Sequence, residues 1–364
     1  MGRSLRGQFS GVVRYTYDLV RALAPRLDDR LTIFLTRASD GLDDVRVRRI
    51  RAPFPTPNEY ARALWEQAIV PLQVARLAPH VYHSPNYILP LGLRCPTVVT
   101  VHDLAFLDRS VHRLRSHLYL SVLTRLAIQK ATRIICVSAY TRDRLVERFP
   151  AAEGRTRVVG EGVDERFRRA PPDAVDRFRR RHGIDRPYVL FVGTMEPRKN
   201  LARLIRAFGS AVESTGSRHA LVIAGGMGWK NADVQAAWRA SRVAERIQLL
   251  GYLPDEDLPA ALSGADLFAY PSLSEGFGLP PLEAMACGTP VLTSNVTSLP
   301  AVVGDAALMV DPLDETAISA GLATLMVDLE ARQRLAEAGP RRAARFRWPV
   351  VAEQTLAVYA EAAG

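Results

Sequence analysis

At 364 residues the chain has room for two domains of about 150 residues, each with its own core, and is too long for a lone binding module. Apolar residues at 48% and charged residues at 24% are ordinary for a folded soluble protein, which excludes wholesale disorder and a multi-span membrane protein. The net charge of +10 is the outlier, and alone it points to an anionic partner: nucleic acid, a membrane surface or a phosphorylated substrate.

In chain order, short β-rich runs alternate with amphipathic helical stretches. Helices are predicted near 11 to 25, 59 to 77, 114 to 130 and 140 to 148, and strands at LTIFLT (31 to 36), VYHS (81 to 84), TVVTVHD (97 to 103) and RIICVS (133 to 138). This is the βαβ pattern of a parallel sheet. The Arg-rich, proline-punctuated run that follows has linker composition, and a linker is expected over 171–187. Alternation restarts with YVLFVGT (188 to 194), ALVIAGG (220 to 226), IQLLGYL (247 to 253), LFAYPS (267 to 272), TPVLTS (289 to 294) and ALMVDP (307 to 312), nearly continuous apolar runs suited to a sheet covered on both faces. The expectation is α/β: two doubly wound, Rossmann-like domains, 1–170 and 188–345, facing a cleft. The last amphipathic helix, 346–364, is expected to pack back on the first domain. One element is missing: no apolar strand precedes the helix at Gly11, so the first domain is expected to lack its N-terminal strand.

Charge and cysteine content narrow the partner and the compartment. Residues 1 to 186 hold 33 Lys and Arg against 19 Asp and Glu, net +14, while residues 187 to 364 hold 15 against 19, net −4. Only Lys130, Lys199 and Lys230 are lysines, an arginine bias that a GC-rich genome produces without functional demand, so nucleic acid is not the expected partner. Cys95, Cys136 and Cys287 have neither disulfide nor metal spacing, and no metal is expected. No apolar run reaches the roughly 18 residues that span a bilayer, and MGRSLRGQFSG lacks the apolar core of a signal peptide. The expected location is the cytoplasm, with any membrane contact peripheral and on the inner face.

The richest segment is PSLSEGFGLPPLEAMACGTPVL, 271 to 292. A strand ends, a glycine loop follows, and Pro280 and Pro281 suit a first helical turn. The N–H groups of Gly276, Phe277, Gly278 and Leu279 would then face a diphosphate at a positive helix end. Glu275 and Glu283 bracket the loop, and a carboxylate suits the vicinal hydroxyls of a sugar or ribose. The bland alternative is that Glu275 caps the helix and Glu283 offsets its dipole. In FVGTMEPRKN, Arg198 and Lys199 follow a strand and could neutralise pyrophosphate oxygens, or could simply be solvated. His102 and Asp103 lie at the C-terminal end of a strand, the edge where open α/β sheets bind ligands, and Asp103 could cap the next segment or orient the histidine. His83, at another strand end, could line an acceptor site. Ser138 or Thr141 reads as a helix cap. The basic stretch 108 to 133 reads as a surface helix with Leu118, Val122 and Leu126 inward, or as a face for anionic lipid or a lipid diphosphate.

Glu275-GFGLPPL-Glu283 resembles the E-x7-E motif of retaining glycosyltransferases of family 4, which have the GT-B fold. FVGTMEPRKNLARLIRAF, LVIAGG, LPAALSGADLF and CGTPVLTSNVTSLPAVVGDAALMVDP resemble the same family, so the likeness covers essentially the whole chain from Gly11. It implies transfer of a hexosyl unit from a nucleoside diphosphate sugar to a glycan or lipid-linked acceptor in polysaccharide biosynthesis, with 1–170 binding the acceptor and 188–345 the nucleotide-sugar. RKNLARLIRAF and VTVHDLAFL are most like bacterial mannosyltransferases, which makes GDP-mannose the first donor and a UDP-sugar the next, with no tightly bound cofactor. The resemblance assigns Glu275 to the donor sugar, Glu283 to the ribose, Arg198 and Lys199 to the diphosphate, and His102 to the sugar from the other domain. Gly193 closes the first strand of the second domain, and Gly11 lets acceptor and donor phosphate approach the backbone. Two departures stand out. Many relatives carry Arg after the strand glycine, where this chain has Thr194, and Ile-Gly where it has Val12-Val13. With no second carboxylate placed as a nucleophile, front-face substitution is expected. Glu275→Ala and Lys199→Ala are each expected to abolish transfer and leave the fold intact. Competing readings are a same-fold epimerase or phosphorylase, and a decayed, non-enzymatic basic binding protein.

Overall fold

A computed structural model describes residues 11–36, 42, 45–54, 59–104, 114–226, 228 and 232–364. The chain divides into two units, Met1–Gly162 with Trp348–Gly364, and Val163–Arg347. The sequence puts the first domain's end at 170 and a linker over 171–187, whereas this division falls after Gly162 and the proline-rich run forms the helix Pro172–His182 of the second unit. The punctuation that resembles a linker instead marks both ends of a short helix: prolines at its start, where a missing N–H costs nothing, and Gly183 in the left-handed region (φ +64) after its end.

In the first unit, β1 (Thr32–Leu35) and β2 (Arg48–Arg51) form a parallel pair. β3 (Tyr82–Ser84), β4 (Thr97–Val101), β5 (Arg133–Cys136) and β6 (Thr156–Val158) form a four-stranded parallel sheet in that order. Among the described residues no strand precedes the helix Gly11–Leu27, and β3 ladders with β4 alone. The parallel strands of this unit form two ladders among the described residues, and the Phe34 and Tyr82 rings lie 6.1 Å apart. The segment MGRSLRGQFS, on which the reading of the chain start rests, lies outside the described residues, as do residues 105–113. The C-terminal helix Trp348–Ala363 belongs to this unit and packs Val351, Ala352 and Val358 with Tyr15, Leu19 and Leu23 of the first helix and with Val98 and Ile135 of the sheet.

The helix Leu114–Lys130 corrects one expectation. Val122 and Leu126 are not inward but 49% and 37% exposed, while Thr124, Ala127 and Ile128 are buried. Thr124 and Leu126 are about 200° apart around a helix, so only one of these stripes can face the core. The buried stripe packs against the core that holds Val99, Val101 and Ile134.

The second unit has six parallel strands: β7 (Tyr188–Val192), β8 (Ala220–Ala224), β9 (Ile247–Gly251), β10 (Leu267–Tyr270), β11 (Val291–Ser294) and β12 (Leu308–Val310). Their spatial order is β12-β11-β10-β7-β8-β9. Val189, Leu190, Leu221, Val222, Ile223, Leu267 and Phe268 are fully buried, as strands covered on both faces must be. The chain leaves β7 for β8 on one side and returns to β10 on the other, which makes the gap between the ends of β7 and β10 the topological switch point, where open sheets bind ligands. No described helix is long and apolar enough to cross a membrane.

Candidate active site

At the switch point, the loop after β7 is set by close backbone crossings. Gly193 donates its N–H to Ala224 (2.9 Å), and a Cβ on Gly225 would fall 2.0 Å from the Gly193 carbonyl oxygen, so only glycine fits there. The chain then turns through Pro197–Lys199 and enters the helix Leu201–Thr215 by way of Asn200, which is left-handed (φ +61). Asn200 Nδ2 donates to the carbonyls of Pro271 (2.9 Å) and Pro312 (2.7 Å), tying this turn to the loop leaving β10. Leu273 N–H donates to the Arg198 carbonyl (2.7 Å) and closes the same seam.

Across that seam lie the charges. Glu275 Oε1 accepts from Lys199 Nζ at 2.6 Å and from the Ser272 hydroxyl at 2.7 Å, and its Oε2 accepts from Arg198 Nη1 at 3.0 Å. Arg198 Nε also donates to Glu196 (2.9 Å), and Lys199 meets the Tyr270 hydroxyl, its ammonium 4.8 Å from the ring centre. Lys199 and Glu275 side chains are only 7% and 9% exposed. Burial pushes the Glu275 carboxyl up, but Lys199 and Arg198 outweigh it, with help from Ser272, and hold it at about 2. Burial loosens the Lys199 proton, with Glu275 opposing, and raises the Tyr270 phenol well above its ordinary value. Glu275 and Glu196 thus balance Arg198 and Lys199.

The loop Ser274–Gly278 is pinned from the exit of β11. The Ser298 hydroxyl lies 2.9 Å from the Glu275 carbonyl and 2.7 Å from that of Phe277. Gly278 (φ +120) starts the helix Leu279–Ala286, and a Cβ there would meet Leu299 at 2.7 Å. Pro280 and Pro281 have no N–H, so the amides at this helix start are those of Leu279 and of the loop before it. Glu275 makes no cap to this helix, and Glu283 sits in its second turn, buried, so the capping and first-turn alternatives do not describe the pair.

In the first unit the C-terminal strand ends hold His102, which follows β4. Its Nδ1 is 3.0 Å from Glu161 Oε1, its Nε2 is 3.0 Å from the Pro85 carbonyl, and Tyr15 packs edge-on at 4.5 Å. Glu161 therefore orients His102 through Nδ1. His83 is half-buried and both ring nitrogens have partners within the unit, Nδ1 2.7 Å from the Tyr359 hydroxyl and Nε2 2.8 Å from Thr100 Oγ1. Burial and the nearby His102 hold it at about 3. Gly11 opens the first helix into free space. Ser138 is the cap of the helix Ala139–Arg148, accepting from Thr141 N–H at 3.0 Å.

Sequence reasoning missed Glu161, Ser272, Tyr270 and Asn200. Glu161 had a signal, an acid between two glycines just after a strand, at the same sheet edge as His102. Ser272 and Tyr270 read as ordinary strand residues.

Two Rossmann-like α/β units with parallel sheets form a GT-B architecture. Residues 174–342 match the family model of glycosyl transferases group 1, and residues 9–167 match that of Glycosyltransferase Family 4. O-antigen chain mannosyltransferase B of Escherichia coli is 36% identical over 286 residues, 77% of this chain and 74% of that protein. Among solved structures, sucrose-phosphate synthase of Thermosynechococcus elongatus superposes with a TM-score of 0.78 at 22% identity, covering 97% of this chain and 93% of that one. The Anabaena protein Alr3699/HepE, solved in complex with UDP and glucose, gives 0.75 at 19% identity, with 96% of each chain covered. The chain belongs to the group 1 glycosyltransferases of family 4.

Proposed function

We propose that this glycosyltransferase is a retaining, nucleotide-sugar-dependent enzyme of polysaccharide assembly that moves a mannosyl unit from GDP-mannose to a glycan or lipid-linked acceptor. The observation that carries the reading is the Glu275, Lys199, Arg198 cluster between the ends of β7 and β10. Two cations beside a helix start suit a diphosphate, and a carboxylate held ionised by them suits sugar hydroxyls. In this reading the diphosphate takes over donors that Glu275 holds in its absence, and the amides of Gly276, Phe277, Gly278 and Leu279 share the negative charge. Glu283 takes the ribose, Gly193 closes the strand beneath the phosphates, and Gly11 lies on the acceptor side. His102 contributes to the transferred sugar.

The electrostatics favour front-face substitution. In this reading Glu275 is engaged with the sugar hydroxyls, and front-face substitution needs no enzymic nucleophile, so no glycosyl-enzyme forms. The departing phosphate then takes the acceptor proton, and Arg198 and Lys199 stabilise it as it leaves. Mannose follows from the E. coli relative's name, and a UDP-sugar is the second donor to try, because the Anabaena neighbour was solved with UDP. The exposed Val122 and Leu126, beside exposed Arg125 and Lys130, suit peripheral contact with an anionic membrane that carries a lipid-diphosphate acceptor.

A thermal-shift series with GDP-, UDP-, ADP- and dTDP-sugars tests the donor, since a ligand bound to the native state raises Tm by mass action. GDP-mannose is expected to give the largest shift, and the anomeric NMR signal of the product is expected to match the donor's configuration. An inverted product would sink the mechanism.

A further inference from the structure

We propose that Glu161 is a positioning residue that keeps His102 doubly protonated and locked in one orientation, so that His102 has no ring lone pair with which to act as a proton-accepting imidazole. The chemistry follows from the two partners. A carbonyl oxygen only accepts, so the Nε2 that lies 3.0 Å from Pro85 O carries a proton. An ionised carboxylate also only accepts, so the Nδ1 that lies 3.0 Å from Glu161 Oε1 carries the second. Both N–H groups are thus engaged inside the unit, and no ring lone pair remains to take a proton from an acceptor.

The setting holds this state in place. His102 and Glu161 side chains are 10% and 8% exposed, which strengthens their attraction. From the neighbouring elements the ring is faced by Glu161 after β6, Asp103 next along its own chain, the Tyr15 ring edge from the first helix, the Pro85 carbonyl after β3, and His83 on β3. Burial disfavours the charged ring, but the hydrogen bond and charge of Glu161 outweigh it, and Pro85 and Asp103 add to them, so the proton is held above its ordinary range. His83, by contrast, is held neutral, so the two neighbouring histidines do not compete for charge. The backbone beside Glu161 is closely packed: a Cβ on the next residue, Gly162, would meet the Trp348 ring and backbone nitrogen at 2.7 Å, so the chain there lies against the C-terminal helix. The role of that charge rests on the transferase reading, in which His102 contributes to the transferred sugar. The protonation state itself does not rest on it.

The test is a long-range 1H–15N spectrum of the histidine-labelled full chain, with His102 assigned by comparison with His102→Gln. At pH 7.5 both ring nitrogens of His102 are expected to be protonated. In Glu161→Gln the titration midpoint is expected to fall, leaving a single protonated nitrogen at that pH, and Glu161→Asp is expected to restore part of the shift. One protonated nitrogen in the unaltered protein overturns the proposal, as does an unchanged midpoint in Glu161→Gln. Should Glu161→Gln fail to fold, the spectrum of the unaltered protein decides. Where GDP-mannose is turned over, the alkaline limb of the kcat profile is expected to move to lower pH in Glu161→Gln, with rate falling about tenfold per pH unit beyond its midpoint. A loss that is the same at every pH also overturns the proposal. If the unaltered protein turns over no donor, the transferase reading fails while the spectrum still decides the proton.

Discussion

The buried pair of Lys199 and Glu275 makes residue-scale changes affect stability as well as turnover. From sequence, Lys199→Ala should leave the fold intact. The contacts revise that: it strands the Glu275 carboxylate with Arg198 and Ser272 in a nearly closed site, so unfolding in urea should show a loss of about 3 kcal/mol. Transfer should fall by about a hundredfold or more. Glu275→Gln should separate the roles, because it frees Arg198 and Lys199 from a competing carboxylate. Calorimetry should find GDP bound at least as tightly as before while transfer drops by about a hundredfold or more; joint loss of both would argue that Glu275 does not occupy the phosphate donors. Acid stability has two windows. His83 is held near 3 against an ordinary 6.5, so its stabilising contribution is present above 6.5 and is lost as pH falls below that value. Glu275, near 2 against 4.5, contributes above 4.5 and loses its share only below it. Between pH 6.5 and 4.5 the slope from His83 should approach about 1.4 kcal/mol per pH unit, and denaturant titrations of His83→Gln should show a flatter profile.

At the scale of elements, periodicity and turn chemistry located most pieces. The runs predicted at 97 to 103, 188 to 194 and 220 to 226 contain β4, β7 and β8, because buried parallel strands are apolar throughout. β2 and β6 were not legible: Arg48–Arg51 is mostly arginine and Thr156–Val158 is three residues long, and both are strands only because a neighbour offers a ladder. The inward face of the helix Leu114–Lys130 was misassigned for a similar reason, since two apolar stripes competed and the sheet chose one. Caps and crossings are testable here. Ser138→Ala should cost about 1 kcal/mol by loss of the bond from Thr141 N–H. Gly225→Ala places a methyl group inside the Gly193 carbonyl contact, so it should lower Tm and weaken nucleotide binding together, read in one thermal-shift series with and without GDP.

For the whole molecule, the charge division bears on where the enzyme works. Residues 1 to 186 carry net +14 and the rest net −4, so attraction to anionic lipid should reside in the first part of the chain. Sedimentation with phosphatidylglycerol vesicles should show binding that weakens with salt and with Val122→Asp and Leu126→Asp together; binding indifferent to both would remove the membrane reading. What the sequence by itself determined is the alternation of strand and helix, the glycine loop and helix start of 271 to 283, and the residue types that lie there, because these depend on neighbours within about ten positions. Only the tertiary structure decided who meets whom. Glu275 reaches Lys199 and Arg198 across some 76 positions because β7 and β10 lie side by side, and His102 reaches Glu161 across 59 because β4, β5 and β6 are consecutive in one sheet. A side chain's local spacing says nothing about such a partner. Sheet order does, and it is settled by the packing of the whole unit.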